Sequence, residues 1–280
     1  MRVARTVAEL RDMVTGAAGD GRIVGLVPTM GALHDGHLSL LRAARSECDV
    51  VVLSIFVNPL QFAPTDDLAQ YPRTEARDLE LAEMEKVDIV FVPPVTEMYR
   101  EGSQVSVRTG RLGQIVEGAA RPGHFDGVAT VVAKLFNQVR PDKAFFGQKD
   151  AQQVAVVKRL VVDLDFPIKI IVGPTVREAD GLALSSRNVY LSPEQRTRAT
   201  LLWRALQRGR EVYEADGSTA EIEAAMAAVV TREEGMSLDY ALAVDPQTFE
   251  PPSDAGPPLL VIAARVGATR LIDNFQLTDE

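Results

Sequence analysis

The chain has 280 residues, 46% hydrophobic and 25% charged, a size and balance that suit one large folded domain with a smaller companion. Its formal net charge of −9 repels phosphate backbones, which argues against nucleic acid as the main partner while leaving room for a local basic site. The one cysteine, Cys48, excludes an internal disulfide and a cysteine-based zinc site, and it is expected to be a buried structural thiol.

The opening stretch, MRVARTVAELRDMV, lacks an apolar h-region and a small-residue cleavage site. No apolar run approaches the roughly 18 residues needed to cross a bilayer. The expectation is a cytoplasmic protein with no membrane partner.

Thr6 followed by Glu9 reads as a capping box opening a helix over 6–17, ended by Gly19, Asp20 and Gly21. Residues 23–28 form a short apolar run, read as a buried strand. Residues 38–45 are helical in composition. Residues 50–57, VVVLSIFV, are apolar almost throughout and rich in β-branched side chains, as in a parallel strand covered on both faces. A charged amphipathic helix over 74–86 precedes a strand over 88–92. The alternation continues with a helix over 127–139, a strand over 143–146, a helix over 151–162 and a strand over 168–172. Such alternation predicts an α/β fold with a Rossmann-like parallel sheet, its strands ending on one rim where ligands of open sheets bind.

After about residue 175 the pattern changes. Ser192, Pro193 and Gln195 mark a helix start, and one long helix is expected to run to about Glu214. Ser218 and Glu221 open another. Strand-like runs follow at 238–244, 259–266 and 269–275, separated by Pro- and Gly-rich turns. The division expected is a Rossmann-like nucleotide- and substrate-binding domain over 1–175 and a smaller α+β domain over 176–280.

Chemistry-bearing residues gather where these strands end. Met30, Gly31, Ala32, Leu33, His34, Asp35, Gly36 and His37 follow the first predicted strand and precede a helix. The glycines permit tight turns. Two imidazoles at a helix N-terminus can donate to phosphate oxygens and stabilise charge that develops in phosphoryl transfer. Taken alone, the string is also compatible with a Gly-rich turn carrying two surface histidines. A metal site lacks a visible third ligand.

Gly147, Gln148, Lys149 and Asp150 repeat the strand–turn–helix arrangement, with Lys149 placed as a point charge for phosphate and Asp150 able to cap the helix or meet a ribose. Gln152 and Gln153 are adjacent on a helix, so at most one faces a pocket. The loop from Thr175 to Asn188 holds Val176, Leu184, Ser185, Ser186 and Arg187. Its two hydroxyls and guanidinium make a cradle for triphosphate oxygens, or a polar linker with an Arg–carboxylate pair. Asn58 and Gln61 follow the all-apolar strand and offer neutral amides for hydroxyl and carboxylate recognition, or form a plain Asn-Pro turn. Arg121 and His124 precede the helix at 127. The five segments are expected to meet around one triphosphate and one carboxylate.

PTMGALHDGHLSLL, FVNPLQF, RPGHFDGV, FFGQKDAQQ and PTVREADGLALSSRN together, in this order and across the whole chain, resemble the pantoate–β-alanine ligase (pantothenate synthetase) family. That family belongs to the nucleotidyltransferase-like superfamily, with the histidine-glycine-histidine signature shared by class I aminoacyl-tRNA synthetases. The resemblance implies condensation of (R)-pantoate with β-alanine at the expense of ATP, through a pantoyl-adenylate, with Mg²⁺ on the nucleotide and release of AMP and pyrophosphate. It implies that residues 30–37, 147–150 and 184–187, with Val176, hold ATP. His37 is then a proton donor with His34 beside it. Gln61 holds both pantoate and β-alanine, Gln153 holds pantoate, and Asn58 and Arg121 lie close by. Lys149, Ser186 and Arg187 share the transition-state charge. It also implies a C-terminal lid and a homodimer. Three rivals stay open at this stage: a plain nucleotidyltransferase, a fragment of an aminoacyl-tRNA synthetase, and an ATP-sensing module without catalysis.

Overall fold

The computed structural model describes residues 1–19, 21–63, 67–253 and 256–278. Asp20, one of the three residues expected to end the first helix, lies outside them. The described chain separates into two compact units, one of residues 1–147 with 156–174, the other of 148–155 with 175–280.

The first unit is built on β1 (Arg2–Ala4), β2 (Val24–Thr29), β3 (Val50–Ile55), β4 (Ile89–Phe91), β5 (Lys143–Gly147) and β6 (Lys169–Gly173). They form one parallel sheet in the order β1-β4-β3-β2-β5-β6. Every residue of β3 is buried, as its apolar run requires of a strand covered on both faces. Helices α1 (Val7–Ala18), α2 (Asp35–Glu47), α3 (Glu75–Met84), α4 (Val95–Met98), α5 (Glu117–Ala120), α6 (His124–Val139) and α7 (Ala151–Asp163) alternate with the strands. Thr6 and Glu9 make the reciprocal capping box expected at the start of α1. One core cluster joins Leu38, Leu41 and Ala44 of α2 to Val27, Val51, Leu53, Val90 and Phe145 of the sheet. Cys48 belongs to it and is buried, and burial pushes its thiol pKa up.

The strand order reverses between β2 and β5, because β2 leads outward through β3 to β4 while β5 leads the other way to β6. The crevice of such a sheet opens where neighbouring strands send their chains apart. The loop after β2 and the end of β5 flank that point, and the turn after β3 lies next to them.

The second unit holds α8 (Pro193–Ala199), α9 (Leu201–Glu214), α10 (Thr219–Thr231) and the antiparallel sheet β7 (Met236–Val244), β8 (Leu259–Val266) and β9 (Thr269–Gln276) in the order β7-β8-β9. Leu202 and Leu206 of α9, Ile222 and Met226 of α10, and Leu260 and Ile262 of β8 form its core. The α/β fold with a smaller α+β part is therefore the one read from the sequence.

Several details differ. The single helix expected over 192–214 is two. The Thr200 hydroxyl donates to the Thr197 carbonyl at 2.7 Å, and its N–H bonds the same carbonyl, so the chain tightens there by one residue and restarts. The strand β1 escapes sequence reading because three residues carry no periodicity and its pairing to β4 is long-range. Helix α2 begins at Asp35 and α6 at His124, each three residues before the apolar pattern shows.

Candidate active site

In the first unit the loop after β2 turns sharply. Gly31 has φ +82° and Ala32 φ +49°, two left-handed residues in a row. Ala32 sits in a region that L side chains favour little, so something must hold it there. Asp78 of α3 does so. Its carboxylate, 1% exposed, accepts the Ala32 N–H at 3.0 Å and the Leu33 N–H at 2.8 Å, and the Thr74 hydroxyl donates to it at 3.1 Å. A side chain at Gly31 would meet both Asp78 and Ile55 at 3.0 Å.

This turn delivers His34 to the N-cap of α2. His34 Nδ1 accepts the Gly36 N–H at 3.2 Å, and His37 Nδ1 accepts the His34 N–H at 3.4 Å, a reciprocal capping box made of two imidazoles. A ring nitrogen that accepts from a backbone N–H carries no proton, so each neutral ring has its proton on Nε2. The ring centroids are 4.0 Å apart. The HDGH string therefore fixes two imidazoles in the same tautomer at the positive end of a helix dipole, an arrangement matched to phosphate oxygens.

Beside it, the turn after β3 holds Asn58 and Gln61 in a 3₁₀ segment, Pro59–Gln61. Asn58 is 1% exposed. Its Oδ1 accepts from the Leu60 N–H at 3.2 Å and from the Tyr99 hydroxyl at 2.7 Å. Its Nδ2 donates to the Gly127 carbonyl at 3.1 Å and to Gln61 Oε1 at 3.0 Å. Gln61 Nε2 points to Met30 Sδ, 3.2 Å away, which links this turn to the loop after β2. The Gln61 carbonyl accepts from His124 Nδ1 at 2.8 Å and from Arg121 Nη2 at 3.2 Å. A carbonyl only accepts, so His124 carries its proton on Nδ1 and its Nε2 receives Arg121 Nη1 at 3.2 Å. Helix α6 comes so close that a Cβ on Gly127 would lie 2.2 Å from the Leu60 carbonyl oxygen. Met30, His34, His37, Asn58, Gln61 and Gly147 thus belong to one unit, after neighbouring strands, and Arg121 and His124 join Gln61 from the start of α6.

In the second unit, Gln148–Asp150 form a 3₁₀ turn that opens α7. Lys149 Nζ lies 3.6 Å from Asp150 Oδ1. Asn274 of β9 holds this turn: its Nδ2 donates to the Gln148 carbonyl at 2.9 Å and the Lys149 carbonyl at 2.8 Å. Of the two glutamines that follow, Gln152 is buried and Gln153 half-buried.

Val176 and Leu184 face each other across a tight hairpin, in which Leu184 N–H donates to the Val176 carbonyl at 3.0 Å and Arg177 bridges Ala183. Arg177 anchors the hairpin. It grips Asp273 through two nitrogens at 2.6 and 2.9 Å and lies 3.9 Å over the Trp203 ring. Burial pushes the Asp273 carboxyl up, while Arg177 and the Asn274 N–H pull it back. Ser185 then caps a second 3₁₀ segment, Ser186–Tyr190, accepting the Arg187 N–H at 3.3 Å. Lys149, Asp150, Gln153, Val176, Ser185, Ser186 and Arg187 therefore share this unit, bound to β9 by Asn274 and Arg177.

Sequence reading missed Asp78, Tyr99, Asp273 and Asn274. Each lies far along the chain from the loop it holds, and none stands in a motif that would single it out. Among the described residues no group of three or more His, Cys, Asp or Glu side chains could hold a metal ion, and no helix is long and apolar enough to cross a membrane.

Residues 2–276 match the Pantoate-beta-alanine ligase family. The pantothenate synthetase of Acidobacterium capsulatum is 52% identical over 292 aligned positions, covering 99% of this chain and 97% of the relative. The crystal structure of pantothenate synthetase from Thermus thermophilus is 50% identical, with a TM-score of 0.94 and full coverage of both chains. A pantoate-beta-alanine ligase from Francisella tularensis, solved in complex with beta-gamma ATP and beta-alanine, is 33% identical, with a TM-score of 0.80 and coverage of 99% and 97%.

Proposed function

The chain belongs to the pantoate–β-alanine ligase family, and we propose that it condenses (R)-pantoate with β-alanine in two steps at the expense of ATP. In the first step a pantoate carboxylate oxygen attacks the α-phosphorus of ATP. The bond from that phosphorus to the bridging oxygen breaks, and pyrophosphate leaves. In the second step the β-alanine amine attacks the acyl carbon, its bond to the AMP oxygen breaks, and the nitrogen loses a proton.

The observation that carries the site assignment is the paired capping of His34 and His37, which leaves Nε2 as the protonated nitrogen of both neutral rings. These two donors act on phosphate oxygens of ATP, with His37 as the proton donor. Residues 30–33, Asp35 and Gly36 line the nucleotide through their backbone, as the left-handed turn at Gly31 and Ala32 favours. Gln61 receives both pantoate and β-alanine, with Asn58 and Arg121 around it. Gly147, Gln148, Lys149 and Asp150 hold ATP, as do Val176, Leu184, Ser185, Ser186 and Arg187. Lys149, Ser186 and Arg187 supply positive charge and donors as pyrophosphate separates. Gln153 meets pantoate. The division into residues 1–175 for binding and 176–280 as a lid gives the adenylate a dry environment.

ATP enters as its Mg²⁺ complex, in which the ion neutralises phosphate charge and takes few protein ligands, as is usual for this cation. We also propose a homodimer. Val105, Val162 and Leu164 of the first unit are large apolar residues left exposed, as an interface would use. Sedimentation equilibrium at micromolar concentration tests it, and a monomer would refute it. The cytoplasm is the proposed compartment, where Cys48 stays a buried thiol.

The deciding experiment measures exchange of pyrophosphate into ATP and release of AMP. Exchange should need pantoate but no β-alanine, and free AMP should accumulate only when β-alanine is added. Exchange without pantoate, or a product that keeps the nucleotide, would refute the two-step reading and favour a plain nucleotidyltransferase.

A further inference from the structure

The four groups around the Asn58 amide leave it one orientation. The Leu60 N–H can only donate, so the atom it meets at 3.2 Å is the Asn58 oxygen. The Gly127 carbonyl can only accept, so the atom it meets at 3.1 Å is the Asn58 nitrogen. Both obligations agree. The remaining Asn58 N–H then faces Gln61 and demands an acceptor there, which is Gln61 Oε1 at 3.0 Å. Gln61 is in turn left with its Nε2 hydrogens directed away from Asn58, toward Met30 Sδ.

Tyr99 closes the chain. Its hydroxyl donates to Asn58 Oδ1 at 2.7 Å, the shortest contact of the set. Its ring packs 6.1 Å from Phe56 at the end of β3, with Lys134 Nζ 5.9 Å from the ring centroid. Burial holds the phenol pKa well above its ordinary value, so the hydroxyl keeps its proton and stays a donor.

We infer that Asn58, braced by Tyr99, is a positioning residue that holds the Gln61 oxygen toward itself and turns the Gln61 Nε2 donors toward acceptor atoms of the two acid substrates. The inference rests on the assignment of Gln61 to pantoate and β-alanine, and adds what that contact can recognise. A carboxylate or acyl oxygen satisfies the Nε2 donors turned away from Asn58, whereas a donating group meets a Gln61 Oε1 that already accepts from Asn58. Tyr99 braces this arrangement from two hydrogen bonds beyond Gln61, by holding the Asn58 amide that Leu60 and Gly127 orient.

The test is a double-mutant cycle on the full chain with Tyr99→Phe and Gln61→Ala. Tyr99→Phe keeps the ring and removes one donor. It should raise KM for both pantoate and β-alanine by about 3–10-fold, the range for losing one neutral hydrogen bond, with kcat changed less. KM for ATP should stay at its parental value, and the chain should remain folded with a melting temperature lowered only slightly. In the Gln61→Ala background, Tyr99→Phe should have no further effect on kcat/KM for either acid, because no amide remains to be directed. The same factor in both backgrounds, a parallel rise in KM for ATP, or no effect of Tyr99→Phe at all would overturn the relay. Unchanged KM values for both acids in Gln61→Ala alone would instead overturn the assignment of Gln61 itself.

Discussion

Replacing Asp78 probes the turn on which the histidine pair depends. Its buried carboxylate accepts the backbone N–H groups of Ala32 and Leu33 at 3.0 and 2.8 Å. Asn has the same outline but one acceptor oxygen. In Asp78→Asn one backbone N–H keeps its partner, and the other faces an NH₂ group. A hydrogen bond to a charged acceptor contributes about 1.5–3 kcal/mol, so unfolding free energy should fall by about that much. Asp78→Ala removes the acceptor from both N–H groups and from Thr74, and the loss should reach about 3–6 kcal/mol, a large part of ordinary domain stability. The turn also carries His34 into place, and a shift on the order of 1 Å in a positioned group costs about 10²-fold in rate. Urea denaturation reads the first effect. Pantoate-dependent exchange of pyrophosphate into ATP reads the second. Should Asp78→Asn unfold at the parental urea concentration and exchange at the parental rate, the turn does not depend on the carboxylate and the reasoning fails.

His37→Ala or Lys149→Ala should slow adenylation by roughly 10²–10³-fold, the loss typical of one transition-state donor, with the fold intact. Near-parental exchange rates would refute their roles. Gly127→Ala places a methyl 2.2 Å from the Leu60 carbonyl and 2.6 Å from the Gln61 nitrogen, so the Asn58–Gln61 turn must move. Its KM values for both acids should rise more than that for ATP in steady-state assays. Arg177→Ala leaves the buried Asp273 carboxylate without its partner and should cost about 3–5 kcal/mol in urea melts. Cys48 has a raised folded pKa, so its contribution to stability is complete below the unfolded value near about 8.5 and is lost as pH rises toward the folded value. The stability gap between the parent chain and Cys48→Ser should therefore narrow as pH rises above the unfolded thiol value.

Much of the first unit was legible because its signals are local. The run VVVLSI needs no partner to be read as a strand with two covered faces, and a Thr6–Glu9 capping box lies within one turn. The HDGH string was legible as chemistry for the same reason: the spacing that makes His34 and His37 cap each other is three residues. The break at Thr200 was not, since an apolar helix pattern runs through it and only one hydroxyl decides where the turn tightens.

From its residue order alone the chain determined which short segments carry chemistry and which strands they follow, since helix periods, caps and Gly turns act over a few bonds. Tertiary structure decided how those segments are held. Asp78 reaches Ala32 across 46 positions, Tyr99 reaches Asn58 across 41, and Asn274 reaches Gln148 across 126. A buried N–H or amide must find a partner, but nothing in its own neighbourhood names which distant side chain will be folded against it.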